Sequence, residues 1–599
     1  MPMKIGSHPP DTKARAPPVK LTWSYSPKRG NLIALLIIAV LIGLITGTLA
    51  VAFRYLLLYT TALFWPDPHA LLDVNSSYPW YLVLLVPVIG GLIVGPLVTR
   101  ISPEARGAGV PEVIEAVVHR EGEIRHRTAL FKSLFTALSI GCGASVGREG
   151  PVVHIGSSVG SSVAQLLRLP AEWTRVFLAC GAAAGIAATF NAPMAGMLFA
   201  AEIILVDFQV SYLSHIAISS VTATVISHHF LGSLPTFDVP SYQLVSYLEL
   251  PLYALLGWCA GMLSIAFIRS VSAVDDLFNL AAVPLSLRPA VAGLLIGAIA
   301  IFYPHILGVG YESINLALTS QMALALMLSV LALKLLATAS CVGAGFSGGI
   351  FAPSLVLGAL LGGSFGTIAG FLFPGHVDTS AAYSLIGMGA VVAGTTLAPI
   401  TAIFTIFELT YNFDIILPLM TCCITSLVTV QKYYGYSIYE TKLLRKGLRM
   451  IRGHDVNLLR SMQVGDFMET RFETIRHDML LGAVLKKAED SHYPHFPVVD
   501  EKDRLVGILS MSDLRGFLAE IGELSELVVV SEIMTTRVII MRPEDNFEKA
   551  FEIFEGKQIS TLPVVSEGDQ KLLGILKKSD LLLTYNQKIL KMNVTGDRV

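Results

Sequence analysis

The chain has 599 residues, 53% of them hydrophobic and only 15% charged, and its mean hydropathy is +0.63. Soluble domains carry roughly 25% charged residues, so a purely cytosolic protein is excluded, as is a disordered chain, which is poor in apolar residues. The 43 basic and 45 acidic residues nearly cancel, without the basic field of a nucleic-acid binder.

Residues 1–30 are Pro-rich and basic, with Lys13, Arg15, Lys20, Lys28 and Arg29. No cleavage site follows the first apolar run, so this segment is not a signal peptide. The positive-inside rule places it in the cytoplasm. Apolar runs begin at Asn31 and persist to about Tyr433. Those at 31–60 and 80–100 are long enough to span about 30 Å of hydrocarbon. Those at 129–147, 150–168, 174–190, 192–206, 320–340, 350–374, 382–395 and 398–409 are short or broken by Gly and Pro. Broken helices at membrane depth are tolerated where they line a cavity or pack inside protein. Interrupted segments in two halves point to a transporter built from inverted repeats. The internal echo is Gly147-Arg-Glu-Gly-Pro151 against Gly349-Ile-Phe-Ala-Pro353. Cys142, Cys180, Cys259, Cys341, Cys422 and Cys423 all lie in apolar stretches, without metal or redox spacing. They read as small hydrophobes between helices.

Three glycine-proline motifs carry the chemistry: Gly107-Ala-Gly-Val-Pro111, Gly147-Arg-Glu-Gly-Pro151 and Gly349-Ile-Phe-Ala-Pro353. Pro suits the first helical turn, where its missing N–H costs nothing, and glycine lets backbone approach a ligand closely. A helix N-terminus offers free N–H donors and about half a positive charge. Several such termini converging make an anion site that needs no lysine. Glu149 lies between Arg148 and Gly150 at one such start, where a carboxylate in lipid is costly. Ionised, it can occupy an anion position and block the path; protonated, it can swing away. The alternative for Glu149 is a carboxylate that merely caps its helix. Arg148 belongs to the anion-site candidates, with its side chain expected to reach water or a neighbouring helix end.

After Tyr433 the composition changes. Lys432, Lys442, Arg445, Lys446 and Arg449 form a basic band. It marks a second cytoplasmic exit, so an even number of full crossings and two cytoplasmic termini are expected. The membrane body is expected over 31–445 and a linker over 446–460. The rest reads as soluble α/β with an internal repeat. Val464-Gly-Asp-Phe-Met468 matches Val530-Ser-Glu-Ile-Met534, and Phe496-Pro-Val-Val499 matches Leu562-Pro-Val-Val565. Gly507-Ile-Leu-Ser-Met-Ser-Asp-Leu514 matches Gly574-Ile-Leu-Lys-Lys-Ser-Asp-Leu581. The two copies are bounded at 461–522 and 527–599, the second including the C-terminal tail.

Together these motifs make residues 31–445 resemble the CLC chloride channel and transporter family, and the tail resemble a tandem CBS pair. Asn191-Ala-Pro-Met-Ala-Gly-Met-Leu-Phe199 and Ala398-Pro-Ile-Thr-Ala-Ile-Phe404, followed by Glu408-Leu-Thr410, fit the family in order. The fold class expected is therefore a polytopic α-helical membrane protein with inverted repeats, plus a cytoplasmic α/β CBS pair. The resemblance implies a homodimer in the lipid bilayer with a separate anion pathway in each subunit. It implies that Glu149 is the external gate, that the first motif (Ala108, Gly109) and Gly150 border the anion site, and that the amides of Ile350 and Phe351 line its centre. Tyr439 matches the family's pore tyrosine; on the residues alone it reads as an interfacial aromatic. Lys132 matches a family lysine that adds positive potential, with snorkelling to the interface as the alternative.

Two departures bear on mechanism. Ala108 stands where the family carries a serine whose hydroxyl donates to the anion, so selectivity for chloride over other anions is open. Ile203 stands where family antiporters carry the inner proton glutamate. Glu202 beside it is left as a carboxylate for a water path. Chloride/proton exchange is slightly favoured because the gate is intact; an uncoupled chloride channel is the alternative. In the CBS resemblance, Ser510 and Asp513 in the first copy and Asp580 in the second match residues that hold adenine nucleotide, while Lys577 replaces a hydroxyl residue. Lys577 either meets phosphate as a point charge or is a solvated surface residue. A structural dimerisation role is the alternative for the whole pair, and no other cofactor is expected. A CBS-regulated cation transporter needs clustered membrane acids, which the runs lack. An enzyme is not expected: Gly141-Cys-Gly-Ala-Ser-Val-Gly147 lacks the P-loop ending, and no nucleophile–base pair is visible.

Overall fold

Apolar stretches fold as helices, and internal Gly or Pro need not end them: Pro87 and Pro96 lie inside Trp80–Arg100, and the runs at 174–190, 320–340 and 350–374, expected short or broken, form the helices Ala171–Phe190, Leu324–Ala344 and Phe351–Leu372. The structure, a computed structural model, describes residues 29–65, 77–232, 237, 249–410, 412–448, 462–489, 491, 493–515, 526–557, 559–581 and 583. Lys13, Arg15, Lys20, Lys28, Arg449 and most of the 446–460 linker lie outside them. The first half of the membrane unit runs through α1 (Arg29–Phe64), α2 (Trp80–Arg100), α3 (Val110–His119), α4 (Arg127–Gly141), α5 (Glu149–Leu166), α6 (Ala171–Phe190), α7 (Pro193–Phe199) and α8 (Val210–Leu231). A π-helical turn, Ala200–Leu205, extends α7. The second half runs through α9 (Leu250–Leu280), α10 (Arg288–Ala300), α11 (Tyr311–Leu318), α12 (Leu324–Ala344), α13 (Phe351–Leu372), α14 (Ser380–Thr396), α15 (Pro399–Thr410), α16 (Ile416–Tyr433) and α17 (Ile438–Arg445). Among the described residues, eight helices are long and apolar enough to cross a membrane. Five of the six cysteines are buried and all are free thiols.

The halves repeat one another by exchanging contacts. Gly147 and Gly349 each donate their N–H to the other's carbonyl, at 2.7 and 2.6 Å. Glu408 accepts from the amides of Met194 (2.9 Å) and Ala195 (2.7 Å) at the start of α7. Glu202, at the matching place after α7, accepts from the amides of Ile400 (3.2 Å) and Thr401 (2.7 Å) at the start of α15. Each carboxylate thus caps the other half's short helix, meeting N–H groups that no intrahelical carbonyl can reach. Such reciprocity is the signature of a two-fold relation between the halves. Asn191 (φ 63°) and Leu397 (φ 55°) make the equivalent left-handed turns into α7 and α15.

The glycine excess has a packing cause. A Cβ on Gly156 would collide with the Gly181 carbonyl, and one on Gly160 with that of Phe177, where α5 meets α6. In the second half Gly358 and Gly362 of α13 meet the carbonyls of Gly387 and Tyr383 of α14 in the same way. Small residues spaced by four let helix backbones touch, which supplies packing where lipid removes the hydrophobic drive between helices.

The second compact unit, 451–599, holds the α/β tail. Strands β1 (Ile475–Arg476), β2 (His495–Val499) and β3 (Leu505–Ser510) form one sheet, with β2 and β3 antiparallel. Strands β4 (Thr561–Val565) and β5 (Leu572–Lys577) form the second, antiparallel sheet. The copies swap edges: Glu469 pairs with Ile575 of the second copy, and Thr535 pairs with Ile508 of the first. A Cβ on Gly574 would meet the Met468 sulfur at 2.9 Å, and Gly507 receives Met534 in the same way. The repeated Met and Gly of the sequence are therefore packing partners across the pair.

The reciprocal caps lead to a stability prediction. Glu408→Ala leaves two amides unmet at a buried helix start, at a cost of about 1–3 kcal/mol. Glu408→Gln, which keeps one acceptor oxygen, is expected to lose less. Denaturant unfolding in detergent measures both, and an unchanged midpoint for Glu408→Ala contradicts the cap.

Candidate anion site

The three glycine motifs meet at one place. Besides the Gly147–Gly349 exchange, the Gly348 N–H donates to the Gly107 carbonyl at 3.2 Å. Gly109 has φ +90°, open to glycine, and a Cβ there would lie 2.8 Å from the Gly150 carbonyl oxygen. A Cβ on Gly349 would lie 2.8 Å from the Gly150 nitrogen, and one on Gly150 would collide with the carbonyl of buried Ala108. Glycine at these positions is a condition for the three backbones to converge.

Helix α13 points its start into this junction. Its first helical bond runs from Ser354 N–H to the Ile350 carbonyl. The amides of Ile350, Phe351 and Ala352 therefore precede any intrahelical acceptor, and Pro353 has none to place. The Glu149 side chain is fully buried. Its Oε2 accepts from the Ala352 amide at 3.2 Å, and its Oε1 accepts from the Tyr311 hydroxyl at 2.5 Å. A carboxylate thus sits where an anion meets a helix N-terminus. Its reach from α5 to α13 separates this from the simple capping of its own helix weighed above.

Arg148 does not reach away to water. Its side chain is mostly buried, with Nε 3.9 Å from Glu149 Oε1 and the guanidinium 4.9 Å from the Tyr311 ring centre. The aromatic face of Tyr311, unseen in the sequence reading, holds it back by cation–π attraction. The Phe351 ring packs against Phe190 (5.6 Å) and Phe199 (6.3 Å). Tyr439 is 2% exposed, far from the interfacial alternative. A capping box places it, with Glu440 N–H donating to Ser437 Oγ at 3.1 Å and Ser437 N–H to Glu440 Oε2 at 2.7 Å.

Lys132 does not snorkel. It is fully buried and donates to the carbonyls of Ala105 (2.9 Å) and Gly107 (2.6 Å), pinning the loop that leads into Ala108. Sequence reasoning missed its counterpart. Lys334, also fully buried, donates to the carbonyls of Ile306 (2.9 Å) and Gly308 (3.0 Å). The signal was a lone lysine in the 320–340 run, placed before Gly349-Ile-Phe-Ala-Pro353 as Lys132 is before Gly147-Arg-Glu-Gly-Pro151. Tyr311 was missed as well, although it follows Gly308-Val-Gly310, the second-half echo of Gly107-Ala-Gly109.

Ile203 is buried and presents only hydrocarbon. Glu202, the carboxylate left for a water path, caps the start of α15. Both its oxygens are taken, one by the Ile400 amide and the other by the Thr401 amide and Thr401 Oγ1 (2.7 Å). In the tail, Ser510 Oγ donates to Asp513 Oδ2 at 2.7 Å, and Asp513 is exposed. Asp580 accepts from Ser579 Oγ at 3.1 Å. Lys577 pairs with Glu469 at 2.6 Å and lies 4.7 Å from the Tyr493 ring centre. Among the described residues, no group of His, Cys, Asp and Glu is arranged to hold a metal ion.

Residues 90–431 match the family model described as voltage gated chloride channel, and 464–520 and 530–586 each match the CBS domain. A putative chloride channel protein ClcB-like of Ralstonia nicotianae is 35% identical over 415 residues, covering 69% of this chain and 97% of its own. The H(+)/Cl(-) exchange transporter ClcA of Cronobacter sakazakii is 32% identical over 426 residues, covering 69% of this chain and 90% of its own. The crystal structure of a slow cyanobacterial Cl-/H+ antiporter superposes with a TM-score of 0.63 at 27% identity, covering 71% of this chain and 99% of its own. With more than half its length matched by that family model, the chain belongs to the voltage-gated chloride channel family and carries a CBS pair behind its membrane body.

Proposed function

We propose that the chain carries chloride across a membrane, through a path at the N-terminus of α13 that Glu149 closes. The observation that carries this reading is the Glu149 carboxylate on the Ala352 amide. An ionised carboxylate there competes with chloride for the same N–H donors and the same helix dipole. A proton arriving on Glu149 removes the charge, weakens both contacts and releases the Ala352 amide to a permeating anion. Because Ala108 has no hydroxyl, the anion is held by the amides of Ile350 and Phe351 and by the Tyr439 hydroxyl. The working unit is a homodimer with one path per subunit, and both chain ends face the cytoplasm.

Chloride/proton exchange is the favoured mode. The gate carboxylate is intact, and the ClcA relative and the cyanobacterial structure are both named as exchangers. A second reading, an uncoupled channel, is favoured by one observation: Ile203 is apolar and Glu202 is committed to capping α15. In reconstituted vesicles, a chloride gradient is expected to drive protons uphill. Chloride flux without proton movement contradicts exchange and leaves the channel. Glu149→Gln is expected to carry chloride at a rate independent of external pH and to move no protons; a retained pH dependence contradicts the gate.

The tail is proposed to bind adenine nucleotide through Ser510, Asp513 and Asp580, with exposed Asp513 available to a ribose. Calorimetry of the full chain with ATP, ADP and AMP is expected to show binding to at least one, lost in Asp513→Ala. No heat with any of the three contradicts nucleotide binding and leaves a dimerisation role.

A further inference from the structure

Two donors from different helices hold the Glu149 carboxylate. One is the Ala352 amide at the start of α13. The other is the Tyr311 hydroxyl, the first residue of α11, at 2.5 Å. That distance is in the range of a hydroxyl donating to a carboxylate, the strong class of hydrogen bond. Tyr311 is held on several sides. The Arg148 guanidinium covers its ring, and Phe237 meets the ring edge-on at 5.2 Å. Gly310 before it has φ +91°, and a Cβ there would lie 3.1 Å from Lys334 Nζ. Lys334 in turn grips the Ile306 and Gly308 carbonyls of the loop entering α11. The hydroxyl is therefore aimed by its surroundings rather than free to turn away.

We infer that Tyr311 is a latch on the gate: its hydroxyl holds the ionised Glu149 on the α13 N-terminus and sets the external pH at which the carboxylate lets go. This rests on the reading of Glu149 as the gate. The other charged or titratable groups facing the pair are Arg148 at the start of α5, Arg54 of α1 and Tyr439 of α17. All three remain when only the Tyr311 oxygen is removed. A hydrogen bond donated to the charged form favours that form, so its loss lets the carboxylate take a proton at higher pH. Tyr311→Phe keeps the ring beneath Arg148 and against Phe237 and deletes only the hydroxyl, which donates to Glu149 and also meets Arg148.

Chloride efflux from vesicles as a function of external pH tests this, with the full chain as wild type, Tyr311→Phe, Glu149→Gln and the double variant. Tyr311→Phe is expected to move the pH midpoint upward by about one unit. In the Glu149→Gln background, the same change is expected to leave a flat profile and an unchanged rate, which also shows that the variant folds. An unshifted or lowered midpoint in Tyr311→Phe, beside a flat Glu149→Gln, overturns the latch and leaves the gate standing. An equal change of flux with or without Glu149 also overturns the latch. A Glu149→Gln profile that keeps its pH dependence overturns the gate, and the latch with it.

Discussion

The first amides of α13 have no carbonyl to bond within their helix, and they point into an interior without bulk water. Orphan N–H groups in such a place require an acceptor, and the helix dipole favours a negative one. Glu149 is that acceptor, reaching from α5 with one oxygen on Ala352 and the other on Tyr311. The surrounding features serve this contact. Glycines let the three motifs touch, Lys132 and Lys334 pin the two loops that approach it, and Phe190, Phe199 and Phe351 pack as a tight aromatic group beside it. On the proposed reading, protonation of Glu149 frees this one backbone donor for an anion.

The two-fold relation explains how so many broken helices stay together. Breaking a helix at membrane depth exposes N–H groups at each new start, which hydrocarbon cannot satisfy. The halves satisfy one another: Glu408 meets the start of α7 and Glu202 the start of α15. The same economy has a functional consequence at Glu202. Glu202, the carboxylate nearest the position of Ile203, is already in use as a cap, which is why the mode of coupling turns on a measurement rather than on a residue count.

Much of the site was legible because its residues are unusual for their surroundings. A glutamate between Arg and Gly in an apolar run and three glycine–proline breaks stand out without any partner in view. So do two copies of Pro-Val-Val. The rest lay in pairings distant along the chain. Tyr311 is an ordinary tyrosine until Glu149 is beside it. Glu202 and Glu408 look like isolated membrane acids until α15 and α7 are placed against them. Arg148 was expected at water or at a neighbouring helix end, and which of the two holds it, the Tyr311 ring at the start of α11, is visible only in the fold. Lys577 was weighed between phosphate and solvent, and the partners it has here, Glu469 and Tyr493, lie in the other copy of the repeat. Local sequence shows where chemistry is concentrated; only the fold shows which of those groups are already taken.

The central claim, that the Glu149 carboxylate occupies an anion position on the α13 N-terminus, is open to direct observation with bromide as a heavy stand-in for chloride. Crystals of the wild type and of Glu149→Gln, both grown in bromide, can be compared by anomalous scattering. Anomalous density is predicted beside the Ala352 amide in Glu149→Gln and is predicted to be absent from that place in the wild type at neutral pH. Density there in both proteins, or in neither, contradicts the claim.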